Sequence, residues 1–309
     1  TNAVLVENPN DVGSGYNKVV LGPENFGKLA SVVHAQATTW YDELIVSTSP
    51  IADPFTPVTL TTFYVSAGAT GGNGSAAAPF GLIQDAVNAA LPGNTVIIKS
   101  GTYNQSFSSA RAGTSASPIL IKSESGLGTV NIVASGRVVT LSHPYITLEG
   151  LTVDGSYGND DAVKVNTAAD NTIIRSTEVK RSGNDCIDLG SPDNALIENS
   201  LIHNCLNSAG GRTDAHGIAM GGGGAINGLI VRNTEIHTFS GDGIQLDVVL
   251  DPACFNNILI ENSKIWRAPL TTVENGFAIG TVAGENAVDT KILGTAPRGD
   301  ITIRNTIAY

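Results

Sequence analysis

Short alternations of apolar and polar residues, each ending in the same polar phrase, repeat along the second half of the chain. An apolar residue precedes Arg or Glu, then Asn or Ser, then Ser or Thr. The five copies are Ile174–Thr177, Ile197–Ser200, Val231–Thr234, Ile260–Ser263 and Ile303–Thr306. They begin 23, 34, 29 and 43 residues apart. Period-two strands that recur at this spacing, with no helical pattern between them, predict an all-β solenoid of stacked parallel strands, a parallel β-helix.

The asparagine of the phrase recurs in four copies, as Asn199, Asn233, Asn262 and Asn305. Asparagine tolerates the left-handed backbone conformation, and its side-chain amide can bond to the amide above it. The pattern therefore predicts a sharp turn at this position and an asparagine ladder running through the stack.

A second short strand lies between copies and has the form Asp/Asn-x-apolar-x-apolar. Its inward apolar residues align as Val163, Ile187, Ile218, Ile244 and Val288. The next residues then face outward: Lys164, Asp188, Ala219, Gln245 and Asp289. Two residues before the apolar pair come turn residues: Asp161, Asp185, His216, Asp242 and Asn286, with Asp214 close by. Because stacked strands lie about 4.8 Å apart, we expect Asp161, Asp185, Asp188, Asp214 and Asp242 to converge on one outer strip.

The first part of the chain lacks this repeat. Residues 1–58 are predicted to form an N-terminal arm and a Pro-rich linker, and residues 59–309 the solenoid. Within the arm, residues 26–42 fit either a helix or a strand. A strand at 62–66 and a short amphipathic helix between Pro79 and Pro92 then predict an N-terminal cap. No cap pattern follows the last copy, so we expect an open final rung, from either a fragment or a chain that stacks on a partner.

Composition narrows the functions open to such a solenoid. The net charge of −11 excludes nucleic acid and anionic membranes as natural partners. It is compatible with an acidic polysaccharide only if a cation mediates. No apolar run is long enough for a membrane span. The composition fits a secreted β-rich protein, whose signal would have been removed. Cys186 and Cys205 lie about one rung apart, so they either form a disulfide or are buried as small unpaired residues. Cys254 has no such partner in the sequence pattern.

Carboxylates as close as these repel one another unless a cation neutralises them. Ca²⁺, a hard cation with six to eight oxygen ligands, suits such a cluster. The alternative is that these aspartates are ordinary turn residues of a β-helix.

The cap, the asparagine phrases and the run Asn184–Leu189 resemble right-handed β-helix polysaccharide lyases, in particular the pectate lyase family 9 group. The resemblance covers roughly residues 60–309 and implies a right-handed solenoid with a short capping helix. That family holds Ca²⁺ with an Asp-Asp-Gly-x-Asp run and an Asp from the preceding rung. Here Asn184 and Cys186 replace the first Asp and the Gly, and the preceding-rung Asp is Asp160 or Asp161. The family's lysine base matches Lys291.

Two other side chains are candidates for the same chemistry. His216 would serve as an acid or a sugar contact, and Arg212 would hold a substrate carboxylate. The resemblance, taken with these residues, implies a secreted protein that binds an acidic polysaccharide and cleaves it by Ca²⁺-assisted β-elimination. Hydrolysis by two aspartates ranks lower, because the run from Asp214 to Gly217 only faintly matches the polygalacturonase signature. The rival from another class is a non-catalytic rod or filament, which self-associates when one subunit's arm covers the next subunit's open rung.

Overall fold

The computed structural model describes residues 62–208, 214–221, 225–248, 255–292 and 299–309. The predicted arm and linker, including the segment 26–42, therefore lie outside the described residues. No helix in the described part of the chain is long and apolar enough to cross a membrane.

Three parallel sheets, here called A, B and C, make up the described solenoid. Sheet A contains β1 (Thr62–Val65), β2 (Thr95–Ile98), β5 (Ile119–Ser123), β8 (Ile146–Glu149), β11 (Ile173–Arg175), β14 (Leu196–Glu198), β18 (Ile230–Arg232), β22 (Ile258–Glu261) and β25 (Ile301–Arg304). Sheet B contains β3 (Gly101–Tyr103), β6 (Val130–Val133), β9 (Thr152–Asp154), β12 (Glu178–Ser182), β15 (Leu201–Cys205), β19 (Glu235–Phe239), β23 (Lys264–Trp266) and β26 (Ile307–Ala308). Sheet C contains β4 (Phe107–Ser108), β7 (Val139–Leu141), β10 (Val163–Val165), β13 (Ile187–Leu189), β16 (Ile218–Met220), β20 (Ile244–Val248) and β24 (Val288–Ile292).

From β2 onward the chain visits the sheets in the order A, B, C and then returns to A one rung further on. A small pair, β17 (Ile226–Asn227) and β21 (Phe255–Asn256), lies between sheets C and A in the later rungs. The helix α1 (Ile83–Ala89) buries Ile83, Ala86 and Val87 and contacts β1, β2 and β4. The structure thus confirms the predicted right-handed β-helix and its capping helix.

The core consists of columns of aliphatic side chains, one from each rung. In sheet C the strand register aligns Val163, Ile187, Ile218, Ile244 and Val288 as predicted. The first four are fully buried. Full burial of one such side chain stabilises the fold by about 1.5–3 kcal/mol, so a slip of one residue would be strongly disfavoured.

The asparagines of the repeated phrase form a turn but not a ladder of amides. Asn199, Asn233, Asn262 and Asn305 all adopt positive φ, between 49° and 50°. Their side chains are exposed, and they make no amide-to-amide bond to one another within the described residues. The ladder prediction was wrong because the left-handed backbone alone explains this asparagine. An amide pair does occur at another corner, where Asn256 Nδ2 donates to Asn227 Oδ1 at 2.8 Å.

The next residue of the phrase forms a buried hydroxyl column. Its members are Thr177, Ser200, Thr234, Ser263 and Thr306. Each hydroxyl donates to the carbonyl two residues earlier in its own rung, at 2.8–3.0 Å. Each of the last four also accepts the backbone N–H of the column member in the preceding rung, at 3.2–3.4 Å. The hydroxyls thus satisfy buried backbone groups at a corner that the strand ladder does not reach.

The charged residue of the phrase alternates in sign along the outer face of sheet A. Register places Lys122, Glu149, Arg175, Glu198, Arg232, Glu261 and Arg304 in one column. Four ion pairs join neighbours in this column, with nitrogen–oxygen distances of 2.5–3.5 Å. Opposite charges on neighbouring strands stabilise a sheet, whereas like charges destabilise it.

A disulfide joins Cys186, just before β13, to Cys205 at the end of β15, with a Cα–Cα distance of 5.5 Å. Of the two interpretations that the sequence left open, the structure shows the disulfide. Cys254 lies outside the described residues. The bond ties sheet C to sheet B beneath the outer strip.

We expect Ser200→Ala to lower the free energy of unfolding by about 1–3 kcal/mol, because the buried Thr177 N–H loses its acceptor. Ser200→Thr is the matched control, since threonine already occupies this column in the rungs on both sides. Guanidinium unfolding followed by circular dichroism measures both variants. Equal unfolding midpoints for the two would show that the hydroxyl column contributes nothing.

Candidate functional site

Two columns of polar side chains lie side by side on the outer face of sheet C. The strand column consists of Thr140, Lys164, Asp188, Ala219, Gln245 and Asp289. The turn column lies three residues earlier in each rung and consists of Arg137, Asp161, Asp185, His216, Asp242 and Asn286. Parallel register makes every rung contribute one residue to each column, so the local sequence of each rung decides which chemistry appears there.

Three carboxylates meet where the two columns run together. Asp161, Asp185 and Asp188 each place a carboxylate oxygen within 4.8 Å of the others. Asp161 is buried, and the other two are half-buried. Burial and the charges of Asp188 and Asp185 raise the pKa of Asp161 to about 7. Repulsion within this acidic triad therefore favours the binding of a proton or a cation.

Neighbouring side chains already stabilise part of the triad's negative charge. Asn184 Nδ2 donates to Asp161 Oδ1 at 2.6 Å. Arg137 Nη2 lies 3.4 Å from Asp161 Oδ2, and the Lys164 ammonium pairs with Asp188. The donor set of the triad is all oxygen, which suits hard cations such as Ca²⁺ and not zinc or copper. Waters and substrate oxygens would have to complete the coordination.

His216 lies beside the triad, buried between two carboxylates. Its Nδ1 is 2.8 Å from Asp185 Oδ1, and its Nε2 is 3.6 Å from Asp242 Oδ2. Burial opposes a charge on the ring, but the hydrogen bonds to Asp185 and Asp242 and their charges outweigh it and raise the pKa of His216 to about 9. The ring and the backbone of His216 both hold Asp185, since the His216 backbone N–H donates to the same Asp185 oxygen at 2.9 Å. Gln245 Nε2 lies 2.8 Å from the ring's Nε2.

The predicted metal ligands thus fall into two groups. Asp161, Asp185 and Asp188 come together, whereas Asp242 and Asp214 do not join them. Asp242 lies three rungs beyond Asp161 and is fully buried. There it binds His216 and accepts two hydrogen bonds from Asn286 at 3.0 Å. Asp214 is exposed two residues before His216. Asp242 is too many rungs from Asp161 to reach it, and His216 occupies the turn-column position in the rung of Asp214.

The predicted catalytic residues are likewise separated. His216 is next to the triad but is already bonded on both ring nitrogens. Arg212 lies outside the described residues. Lys291 aligns with Asp247 on the neighbouring strand, and its Nζ lies 3.6 Å from Asp289. It is three strand steps from Asp188, roughly 14 Å at the usual spacing. The structure therefore does not bring Lys291 to the triad.

Two cations adjoin the triad that the sequence reasoning did not assign to it. Lys164 was placed on the outward face but not paired with Asp188. Arg137 precedes the first regular rung that the sequence shows. Both follow from register: Arg137 lies 24 residues before Asp161, and Lys164 lies 24 residues before Asp188. Counting back one rung from each aspartate would have found them.

The loop between β23 and β24 runs back along the corner that precedes sheet C. The Glu274 carboxylate accepts a hydrogen bond from Tyr157, which lies just before β10. Leu270 and Ala283 from this loop form a second small apolar cluster with Leu206. The loop thus contacts residues of several rungs and lies beside the turn column.

Comparison with known proteins fits this architecture. The model of the Pel9A-like, right-handed β-helix region matches residues 63–309. The chain belongs to this family. No curated protein matches the sequence.

Three solved structures share the fold of this Pel9A-like chain. A pectate lyase, Pel9A, is 18% identical with a TM-score of 0.55, over 74% of this chain and 59% of that one. A rhamnogalacturonan lyase is 17% identical with a TM-score of 0.61, over 79% of this chain and 67% of that one. The Escherichia coli protein ybhc is 14% identical with a TM-score of 0.51, over 84% and 74%. The chain thus spans about three fifths of the length of the pectate lyase structure.

We expect Ca²⁺ to raise the melting temperature of the wild type by a few degrees, because a ligand that binds only the folded state stabilises it. At a concentration of 100 Kd the gain is about 2.7 kcal/mol. Asp161→Asn and Asp188→Asn should abolish most of the shift, and EDTA should reverse it. Asp289→Asn is the control, since it removes a carboxylate from the same column three strands from Asp188. Identical shifts in Asp188→Asn and wild type would exclude the triad as the binding site.

Proposed function

We propose that this protein binds an acidic polysaccharide through Ca²⁺ held by Asp161, Asp185 and Asp188, and cleaves it by β-elimination. The observation that carries the proposal is the acidic triad on an open sheet face with a lysine ammonium beside it. The family membership supports the fold on which such chemistry occurs. Two structural relatives are named as lyases of pectate and of rhamnogalacturonan, polymers that contain uronates.

The triad suits an acidic protein that must bind an acidic substrate. When bound, Ca²⁺ would supply the positive charge that holds the substrate carboxylate and stabilises the negative charge developing next to it. The protein's own task is to keep three carboxylates close enough together. His216 and Asn184 fix Asp185 and Asp161 through hydrogen bonds, and the disulfide anchors the start of β13.

Elimination also needs a base. The base removes the proton on the carbon that bears the carboxylate. The electron pair left behind forms a carbon–carbon double bond, the glycosidic carbon–oxygen bond breaks, and the departing oxygen takes up a proton. Lys164 is the described lysine best placed for the first step, because its ammonium already contacts Asp188. Binding of a cation by Asp188 would release the Lys164 side chain from this ion pair, so that it could reach the substrate.

A secreted location is part of the same proposal. Polymeric plant-type substrates lie outside the cell, and disulfides such as Cys186–Cys205 persist mainly in oxidising compartments.

Polygalacturonate, rhamnogalacturonan and alginate should be tested with Ca²⁺ or EDTA, while ultraviolet absorbance follows the unsaturated product. We expect Ca²⁺-dependent product from at least one polymer. Lys164→Ala should lower kcat about 10²–10⁴-fold, the usual contribution of a general base, while retaining the Ca²⁺-induced shift in melting temperature.

Lys291→Ala is the matched lysine variant in the same sheet and should retain activity. If Lys291→Ala abolished activity and Lys164→Ala did not, the base assignment would return to Lys291. A flat trace from folded protein on all three polymers would contradict the lyase proposal and favour the non-catalytic rod.

A further inference from the structure

Arg137 differs from the four arginines that lie in strands of sheets A and B. Arg175, Arg232 and Arg304 each bind one glutamate through both Nε and Nη2. Arg181 binds Asp154 in the same two-pronged way. Arg137 is held through Nη2 alone, 2.6 Å from Asp160 Oδ1 and 3.4 Å from Asp161 Oδ2. Its Nε and Nη1 make no hydrogen bond to any residue that the structure describes.

The backbone around Arg137 is tightly fixed. Gly136 has a φ of 93°, and its N–H donates to Gly155 O at 3.1 Å. Val138 on the other side is fully buried, and its N–H donates to Ala162 O at 3.0 Å. A side chain on Gly158, in the next rung, would collide with the Gly136 backbone. The guanidinium therefore projects from a rigid turn, with its side chain 40% exposed.

Arg137 lies next to the triad, where its unused N–H groups could reach a bound substrate. It occupies the turn column one rung before Asp161, on the side away from His216. A polymer of uronates carries one carboxylate on every sugar. When one carboxylate occupies the cation at the triad, a neighbouring sugar that continues along the strip brings its own carboxylate toward Arg137. A planar guanidinium with unused N–H groups matches a carboxylate in two-pronged geometry.

We propose that Arg137 binds a second substrate carboxylate and is a specificity-determining residue for runs of adjacent, unesterified uronates. This inference rests on the proposed function, since the first carboxylate is placed by the cation at the triad. Asp160 and Asp161 act as positioning residues that hold one nitrogen of Arg137 and leave the rest of the guanidinium facing outward.

Binding of trigalacturonate and of monomeric galacturonate to the full chain, measured by calorimetry with Ca²⁺ or EDTA, tests the proposal. We expect Arg137→Gln to raise the Kd for trigalacturonate about tenfold, as for loss of one charge-assisted pair. Binding of the monomer should stay weak, and the Ca²⁺-induced shift in melting temperature should be retained or increased, because the variant removes a positive charge beside Asp161. Arg137→Lys should preserve the charge but not restore trimer binding, because an ammonium cannot donate two parallel hydrogen bonds to one carboxylate. Arg175→Gln on sheet A is the matched control and should bind the trimer like wild type.

Three results would overturn the inference, and they differ from one another. Equal trimer affinity in Arg137→Gln and wild type would leave the proposed function standing and remove the second carboxylate site. Loss of the Ca²⁺-induced shift in Arg137→Gln would show that Arg137 supports the triad and not the substrate. If wild type binds no trigalacturonate with Ca²⁺ present, the proposed action on galacturonates fails, and the role of Arg137 fails with it.

Discussion

The hydrogen-bonded register of parallel strands is the constraint on which the rest of this molecule depends. Each strand pairs with the rung before and the rung after it, so a residue's neighbours above and below are set by rung number and not by distance along the chain. Loops of any length fit between strands without disturbing the columns. The buried aliphatic column of sheet C holds this register, because a one-residue slip would turn Val163 or Ile187 toward solvent. The same register aligns the hydroxyl column, the charged column of sheet A and the strand and turn columns of sheet C.

The acidic triad shows what such a scaffold can do that a flexible loop cannot. Three carboxylates within 4.8 Å oppose one another, and the free energy of that repulsion must be offset by the rest of the fold. Backbone pairing places Asp161 next to Asp185 whether or not the side chains attract. His216, Asn184 and Lys164 then reduce the repulsion through contacts with individual carboxylates. On a flexible surface this electrostatic repulsion would push the carboxylates apart. Here the paired backbone keeps them together, at a site suited to a cation.

Sequence reasoning predicted the fold and the aliphatic columns well because both depend on period-two patterning, which is local and repeated. It placed Asp161, Asp185 and Asp188 together for the same reason. It did less well where rung count matters: two rungs, β16 and β20, separate the triad from the strand of Lys291. His216, and not Asp214, occupies the turn column in its rung, and Asp242 lies three rungs from Asp161, where it binds His216. The hydroxyl column was visible as a repeated Ser or Thr, but its bonding direction required the register of sheet A.

The alternating charges on sheet A carry one more consequence, which concerns how such a chain can change its length. Lys122, Glu149, Arg175 and their successors alternate in sign from rung to rung. Duplicating or deleting a single rung would set two like charges opposite each other, whereas a change of two rungs would preserve every pair. The hydroxyl column also alternates, between threonine and serine, with the same period. In this stretch the pattern therefore repeats every two rungs, so a change in length by an even number of rungs keeps both the ion pairs and the hydroxyl alternation in step.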